Sequence, residues 1–184
     1  MNTIISAERA AAGTEEERAF ERMLREGLRV RFVSQGQKSV QILHRCLSSH
    51  DEHVRWEAAK ALSEIGGAAA MEVLAGALQD ESLDVRWVAA EGLIEAWEAS
   101  LEPVLHQLIA HAGLVAVRES ARWIIGAVLH ERDVSFLKPV LHALNNRAPI
   151  FEVPLAAYEA LVSMHRGQAR LEYRVLHGVA EDPC

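Results

Sequence analysis

Val54-Arg55-Trp56-Glu57-Ala58-Ala59-Lys60-Ala61-Leu62 decides the reading of this chain, because the chain writes the phrase four times. It returns as Val85-Arg86-Trp87-Val88-Ala89-Ala90-Glu91-Gly92-Leu93, then from Val117-Arg118 to Ile125, and in worn form from Val153 through Ala156-Ala157 to Ala160-Leu161. The copies start 31, 32 and 36 residues apart. Self-similarity at a period of about 20–50 residues marks a stacked repeat array. At about 100° per residue, positions 54, 58, 61, 62 and 65 share one stripe of a helix. In the four copies that stripe reads Val54-Ala58-Ala61-Leu62-Ile65, Val85-Ala89-Gly92-Leu93-Ala96, Val117-Ala121-Ile124-Ile125-Val128 and Val153-Ala157-Ala160-Leu161-Met164. Small residues at its second and third positions let a neighbouring helix come close. No single helix pair could bury such a face, whereas stacking buries it continuously.

Each copy is preceded by another helical pattern, so the helices come in pairs. A first helix near 38–48 carries Val40, Ile42, Leu43, Cys46 and Leu47, and a turn at Ser49-His50-Asp51-Glu52 leads into the first copy, which Gly66-Gly67 ends. The second pair repeats the plan with Val73, Leu74, Ala77 and Leu78, followed by Asp80-Glu81-Ser82-Leu83-Asp84. The octets 101–108 and 137–144 match each other and extend the repeat to the first helices of the third and fourth pairs. Pro103 and Pro139, lacking an amide donor, belong in a first turn or at a kink. Gly167 is expected to close the fourth pair, and 168–178, with Leu171, Val175 and Leu176 inward, to form a separate last helix that caps the array.

At the other end, residues 1–13 read as a loose tail and 14–36 as a capping helix over about 15–32 followed by a polar break. Thr14 with Glu17 makes a capping-box pattern, and Phe20, Met23, Leu24 and Leu28 recur at helical spacing. Arg18, Arg22, Arg25 and Arg29 share another face, read as solvated and tied by the i,i+4 pairs Glu21–Arg25 and Arg22–Glu26. The repeat array then spans 37–178, and 179–184 is a short tail.

Composition supports tightly stacked helices. Of 184 residues half are apolar and five per cent aromatic, which suits Ala-lined helix contacts better than a β-sandwich. A formal charge of −7 argues against nucleic-acid and anionic-membrane partners, both of which need a basic footprint. Two cysteines, Cys46 and Cys184, make no disulfide framework and point to a reducing cytoplasm. Cys46 takes the place of Ala77 in the next repeat and reads as a small core residue rather than a nucleophile. The opening residues carry Glu8 and Arg9 and form neither a signal peptide nor an anchor.

The run Leu78-x-Asp80-x-x-x-Asp84-Val85-Arg86-x-x-Ala89-Ala90-x-x-Leu93 resembles the HEAT repeat family, and in particular the HEAT-like repeats of phycobilisome lyases. The likeness extends with weaker echoes over roughly 38–166. It implies an all-α, right-handed α-solenoid of about four helix pairs with helical caps at both ends. It also implies a ladder between repeats, built from an Asp ending the first helix and an Arg six residues later. Asp80 and Arg86 match, Ser49 and Ala112 stand where the Asp would serve Arg55 and Arg118, and Pro154 replaces the fourth Arg. The family includes scaffolds, lyase subunits, hydroxylases and DNA-repair enzymes, so its motif fixes fold rather than function.

Stacking does not dictate the third letter of the phrase, which is Trp56, Trp87, Glu119 and Leu155 in turn. On the wheel Trp56 and Trp87 lie opposite the buried stripe, and Trp123 points to a neighbouring part of that face. Family likeness puts the second helices on the concave side. Trp56, Trp87 and Trp123, flanked by Arg55, Arg86, Arg118 and Arg122, are therefore the expected partner-binding residues, since Trp and Arg dominate contact hot spots. A protein or peptide partner is expected, with a homodimer as one form of it. The alternative reading, an accessory or catalytic subunit of a bilin lyase-type enzyme, rests on repeat type alone. No catalytic, cofactor or metal residues are expected: His50-x-x-His53 with Asp51 sits in a turn without further ligands. His106 and His142 are repeat-equivalent and suit packing or helix ends. The recurring His-Glu dipeptides of HEAT-fold deoxyhypusine hydroxylases shrink here to His130-Glu131, and the basic concave face of HEAT-like alkylpurine DNA glycosylases is missing.

Overall fold

In the computed structural model, residues 15–177 are described, and their side chains too except those of Glu16 and 169–177. The Thr14 cap and Cys184 lie outside the described residues, and the side chains of Leu171, Val175 and Leu176, expected to face inward, are not among those described. Among those described every regular element is helical: α1 (Glu15–Arg25), α2 (Val30–Gln35), α3 (Val40–Cys46), α4 (Glu52–Ile65), α5 (Gly67–Gly76), α6 (Leu83–Glu95), α7 (Trp97–His111), α8 (Val115–Glu131), α9 (Lys138–Asn145) and α10 (Pro149–His177), with single 3-10 turns at Gly36–Ser39, Ala77–Gln79 and Ser135–Leu137. Four pairs result, α3/α4 to α9/α10, and each second helix carries one copy of the phrase. The chain divides into two compact units, Met1–Pro103 and Val104–Cys184. The division falls inside α7 at Pro103, whose ring nitrogen gives the helix ladder no donor.

In the first unit α3 packs on α4 and α5 on α6, while α4 lies against α6 and α3 against α5. First helices thus stack on first helices and second on second. The stripe predicted from the wheel is the buried one: Val54, Ala58, Ala61, Leu62, Val85, Ala89 and Leu93 are fully buried. Leu43, Met71, Leu74 and Leu78 fill the other side of the layer, each large side chain contributing about 1.5–3 kcal/mol of hydrophobic burial. Cys46 sits in this core, and burial pushes its thiol up to about 11. The thiol is therefore unreactive at neutral pH.

The second unit repeats the pattern separately. α8 packs on α9 and α9 on α10. Val117, Ala121, Ile124, Ile125 and Val128 of α8, and Val153, Ala157, Ala160 and Leu161 of α10, form its buried stripes.

Three expectations are corrected. The helix expected over 15–32 is two helices, because Gly27 takes a positive φ of 74°. Its N–H donates to the Leu24 carbonyl and that of Leu28 to the Met23 carbonyl, both at 2.9 Å, the paired bonds of a Schellman stop. Conversely, Gly167 breaks nothing. α10 runs unbroken from Pro149 to His177, so the separate C-terminal cap merges with the second helix of the fourth pair. A mid-helix Gly costs only about 1 kcal/mol against Ala, which a long helix absorbs.

The third correction concerns the arginine face of α1 and the link after it. Arg25 reaches Asp51 at 2.7 Å, and Arg29 reaches Glu57 and Glu64 at 3.0 Å each. These cations tie the N-terminal helices to α4 instead of closing pairs within their own helix. α1 also packs on α3 and α4, and α2 on α4. Phe20 meets Phe32 edge-on with ring centroids 5.8 Å apart, an arrangement that favours aromatic pairs.

Candidate functional site

The second helices of the first unit, α4 and α6, begin with side-chain caps, and these place the side chains that follow. The Asp51 carboxylate accepts the His53 N–H at 3.0 Å at the start of α4. One repeat on, the Ser82 hydroxyl accepts the Asp84 N–H at 3.2 Å and donates to Glu52 at 2.6 Å. Each cap satisfies helix donors that would otherwise be orphaned. The Ser82–Glu52 bond also joins neighbouring repeats.

The arginines of the phrase behave as a set. Arg55 donates to the Ser49 carbonyl at 3.0 Å, Arg86 to the Asp80 carbonyl at 2.7 Å, and Arg118 to the Ala112 carbonyl. Each reaches back six residues to the end of the preceding helix, whatever side chain stands there. Ser49 and Ala112 therefore serve as well as Asp80, through their backbone. What the Asp adds is the link between repeats. Both oxygens of Asp80 accept from Arg55, at 2.8 and 3.1 Å, and Glu81 accepts at 3.2 Å. Hydrogen bonding to Asp80 leads the causes that raise the Arg55 pKa above its ordinary value. The two side chains are 7% and 8% exposed. Among the described residues no buried side-chain polar atom lacks a partner.

The expected partner-binding residues consequently divide. Arg55 is buried and committed to Asp80, and Arg86 and Arg118 are partly covered and committed to carbonyls. Arg122 is exposed on α8. Trp87 is 50% exposed on α6 and Trp56 half-buried on α4, so the first unit puts two tryptophans on packed neighbouring helices. Trp123 is 40% exposed on α8 of the second unit. In that unit Phe151, Leu155 and Tyr158 of α10 are also exposed, at i, i+4 and i+7.

Between the starts of α4 and α6 the surface opens into a cleft of about 590 Å³ lined by Asp51, Glu52, His53, Trp56 and Asp84. Sequence reading placed these acids in the turns before the second helices, weighed Asp51 with His50 and His53 as a metal pattern, and missed that one repeat length brings two such turns together beside Trp56. The signal was present in the offset from Glu52 to Asp84. His50, His53, His106 and His142 are all exposed. Among the described residues no three His, Cys, Asp or Glu side chains group closely enough to hold a metal ion, and no helix is long and apolar enough to cross a membrane.

Charge at this end depends on pH in a stated direction. Arg25, hydrogen-bonded to Asp51, holds that carboxyl below its ordinary 3.8. A carboxyl depressed in the folded state stabilises it above the unfolded pKa, and the contribution is lost as pH falls through the folded value. Acid titration from pH 5 downward is therefore expected to loosen α1 from α4 first, below about pH 4. Amide exchange in α1 measures it, and Asp51→Asn should remove the pH dependence of that protection. An unchanged acid profile in Asp51→Asn would show the pair to be immaterial.

Comparison with known proteins places residues 18–94 under a family described as HEAT repeats. That span takes in α1 as well as the first two helix pairs, so it starts earlier than the expected 38–166. No curated protein matches the chain. The match is to HEAT repeats at large, and the narrower likeness to lyase repeats rests on the residues quoted from the sequence alone.

Proposed function

We propose that this chain, of which residues 18–94 match a family described as HEAT repeats, is a non-catalytic scaffold that receives a protein partner on the face of its second helices. HEAT repeats commonly mediate protein–protein interaction, and the finer assignment is to the tryptophan face. One observation carries it: Trp87 is half exposed at a position stacking leaves open. Exposed large aromatics on a framed surface are what partner contacts are built from. Trp56 and Trp87 supply the apolar anchor of the first unit. Trp123 and Arg122 supply the corresponding surface of the second. Arg55, Arg86 and Arg118 hold the helices that present it.

The test is a double variant, Trp56→Ala with Trp87→Ala, used as bait beside the wild type against partners the wild type recovers. Loss of an aromatic anchor costs about 2 kcal/mol or more, roughly 30-fold in affinity. Trp87→Glu alone, at the more exposed position, separates binding from folding. Partners retained at full affinity by both folded variants would refute the assignment.

A further inference from the structure

We propose that the cleft between the starts of α4 and α6 takes a lysine or arginine side chain presented by the protein partner; this rests on the protein-binding reading above and specifies its chemistry. The cleft is lined by the indole of Trp56, the imidazole of His53 and three carboxylates, Asp51, Glu52 and Asp84. Arg25 offsets one of these at Asp51. The arginines that the helical wheel set beside the tryptophans are spent elsewhere: Arg55 on Asp80, Glu81 and the Ser49 carbonyl, and Arg86 on the carbonyls of Asp80 and Glu81. What remains facing the cleft is net negative.

Two other occupants fit less well. Helix N-termini ordinarily attract anions. Here the Asp51 and Ser82 side chains already take first-turn amides, and Glu52 and Asp84 in the first turns repel an incoming anion. A bare metal ion needs several ligands converging on one point, and no such group of three exists among the described residues. An organic cation on a flexible stem needs neither. Its charge lies among the carboxylates while its alkyl stem or guanidinium plane covers the indole, an arrangement strengthened by cation–π attraction. Trp87 lies one turn beyond Asp84 on α6, so an extended basic segment that fills the cleft continues onto an exposed aromatic. The acidic formal charge of −7 steers such a segment inward.

The experiment uses the full chain, labelled at its indole nitrogens, with the Trp56 resonance assigned by Trp56→Phe. Two heptapeptides with blocked ends are titrated, one alternating glycine with arginine and the other glycine with glutamate. The arginine peptide is expected to move the Trp56 resonance saturably, and the glutamate peptide to leave it in place. A Glu52→Gln, Asp84→Asn variant with an unchanged melting temperature should bind the arginine peptide about tenfold more weakly, the upper end for two exposed charge contacts. Binding should also weaken between 0.05 and 0.3 M salt, as screening shortens the reach of each charge. Equal shifts with both peptides, no shift with the arginine peptide, or undiminished binding by the double variant would overturn the inference. If it falls while Trp56→Ala, Trp87→Ala still loses the recovered partners, the tryptophan face stands with a different chemistry. If those partners are kept as well, the face itself falls.

Discussion

Asp80→Ala is expected to lower the stability of the first unit by about 3 kcal/mol, within the 3–5 kcal/mol typical of breaking one side of a buried pair. Asp80 holds Arg55 through both carboxylate oxygens at 2.8 and 3.1 Å, with the two side chains 8% and 7% exposed. Asp80 also accepts the Ser82 N–H at 2.8 Å, so its removal leaves a turn amide unpaired as well. The loss stays at the low end because Arg55 keeps the Ser49 carbonyl and Glu81. Glu81 is 87% exposed at its side chain, and an exposed partner recovers little. Asp80→Asn keeps shape and one acceptor but no charge, and falls between Ala and wild type. In urea, with a slope of about 2 kcal/mol/M, the Ala midpoint moves down by roughly 1.5 M. Arg55→Ala should cost a similar amount. The double variant should cost less than the sum of the singles, with a coupling of about 1–3 kcal/mol. A midpoint shift under 0.3 M for Asp80→Ala would mean that the bond between repeats is not what holds α4 to the turn before α6.

The same arginine shows where sequence reading stops. A helical wheel reports direction, so it correctly puts Val54, Ala58, Ala61 and Leu62 inward. It also puts Arg55 next to Trp56 on the outer side, and there it misleads, because a long side chain goes where its hydrogen bonds are. The Ser49 carbonyl and the Asp80 carboxylate draw Arg55 inward to 6% exposure. The spacing rule of the ladder sets Asp80 against Arg86 and leaves Arg55 without an Asp, because a backbone carbonyl leaves no trace in the residue alphabet and the carboxylate that Arg55 reaches belongs to the next repeat. The candidate cleft was equally hidden. Asp51, Glu52 and Asp84 are read as helix starts in one dimension, and become one surface only when α4 lies on α6.

Glycine gives the sharper case, because Gly27 stops a helix and Gly167 does not. The residue permits the left-handed turn and does not command it. At Gly27 the stop is sealed by two backbone bonds, to Leu24 and Met23, and a new helix starts at Val30 at once to bring Phe32 into the core. At Gly167 the chain simply continues through α10. At Gly27 the packing available to the residues that follow decides, and that packing lies outside any local window.

Gly92→Ala carries this argument to a measurable end. Gly92 occupies the third position of the stripe, where the other copies have Ala61, Ile124 and Ala160. Sequence alone therefore predicts that Ala is welcome, and helix propensity favours it by about 1 kcal/mol. The packing of α4 on α6 says otherwise. A Cβ at Gly92 would lie 2.6 Å from the Ser63 Cβ, 2.5 Å from its Oγ and 3.0 Å from the Leu74 Cδ2. Leucine's Cδ2 can swing away, but the Ser63 Cβ is fixed to the α4 backbone, so the two helices must separate. Overpacking of this kind costs about 1–3 kcal/mol, and a clash with a fixed atom belongs at the top of that range. The net expectation after propensity is about 2 kcal/mol of destabilisation, read as a lower urea midpoint. Ser63→Gly removes both close atoms at a cost of roughly 1 kcal/mol in the wild-type background. Combined with Gly92→Ala it moves the small position from one helix to the other and should restore stability to within about 1 kcal/mol of the wild type. If Gly92→Ala proves neutral or stabilising, α4 and α6 are not held at the separation that makes glycine necessary, and the third letter of the stripe carries no more than helix propensity.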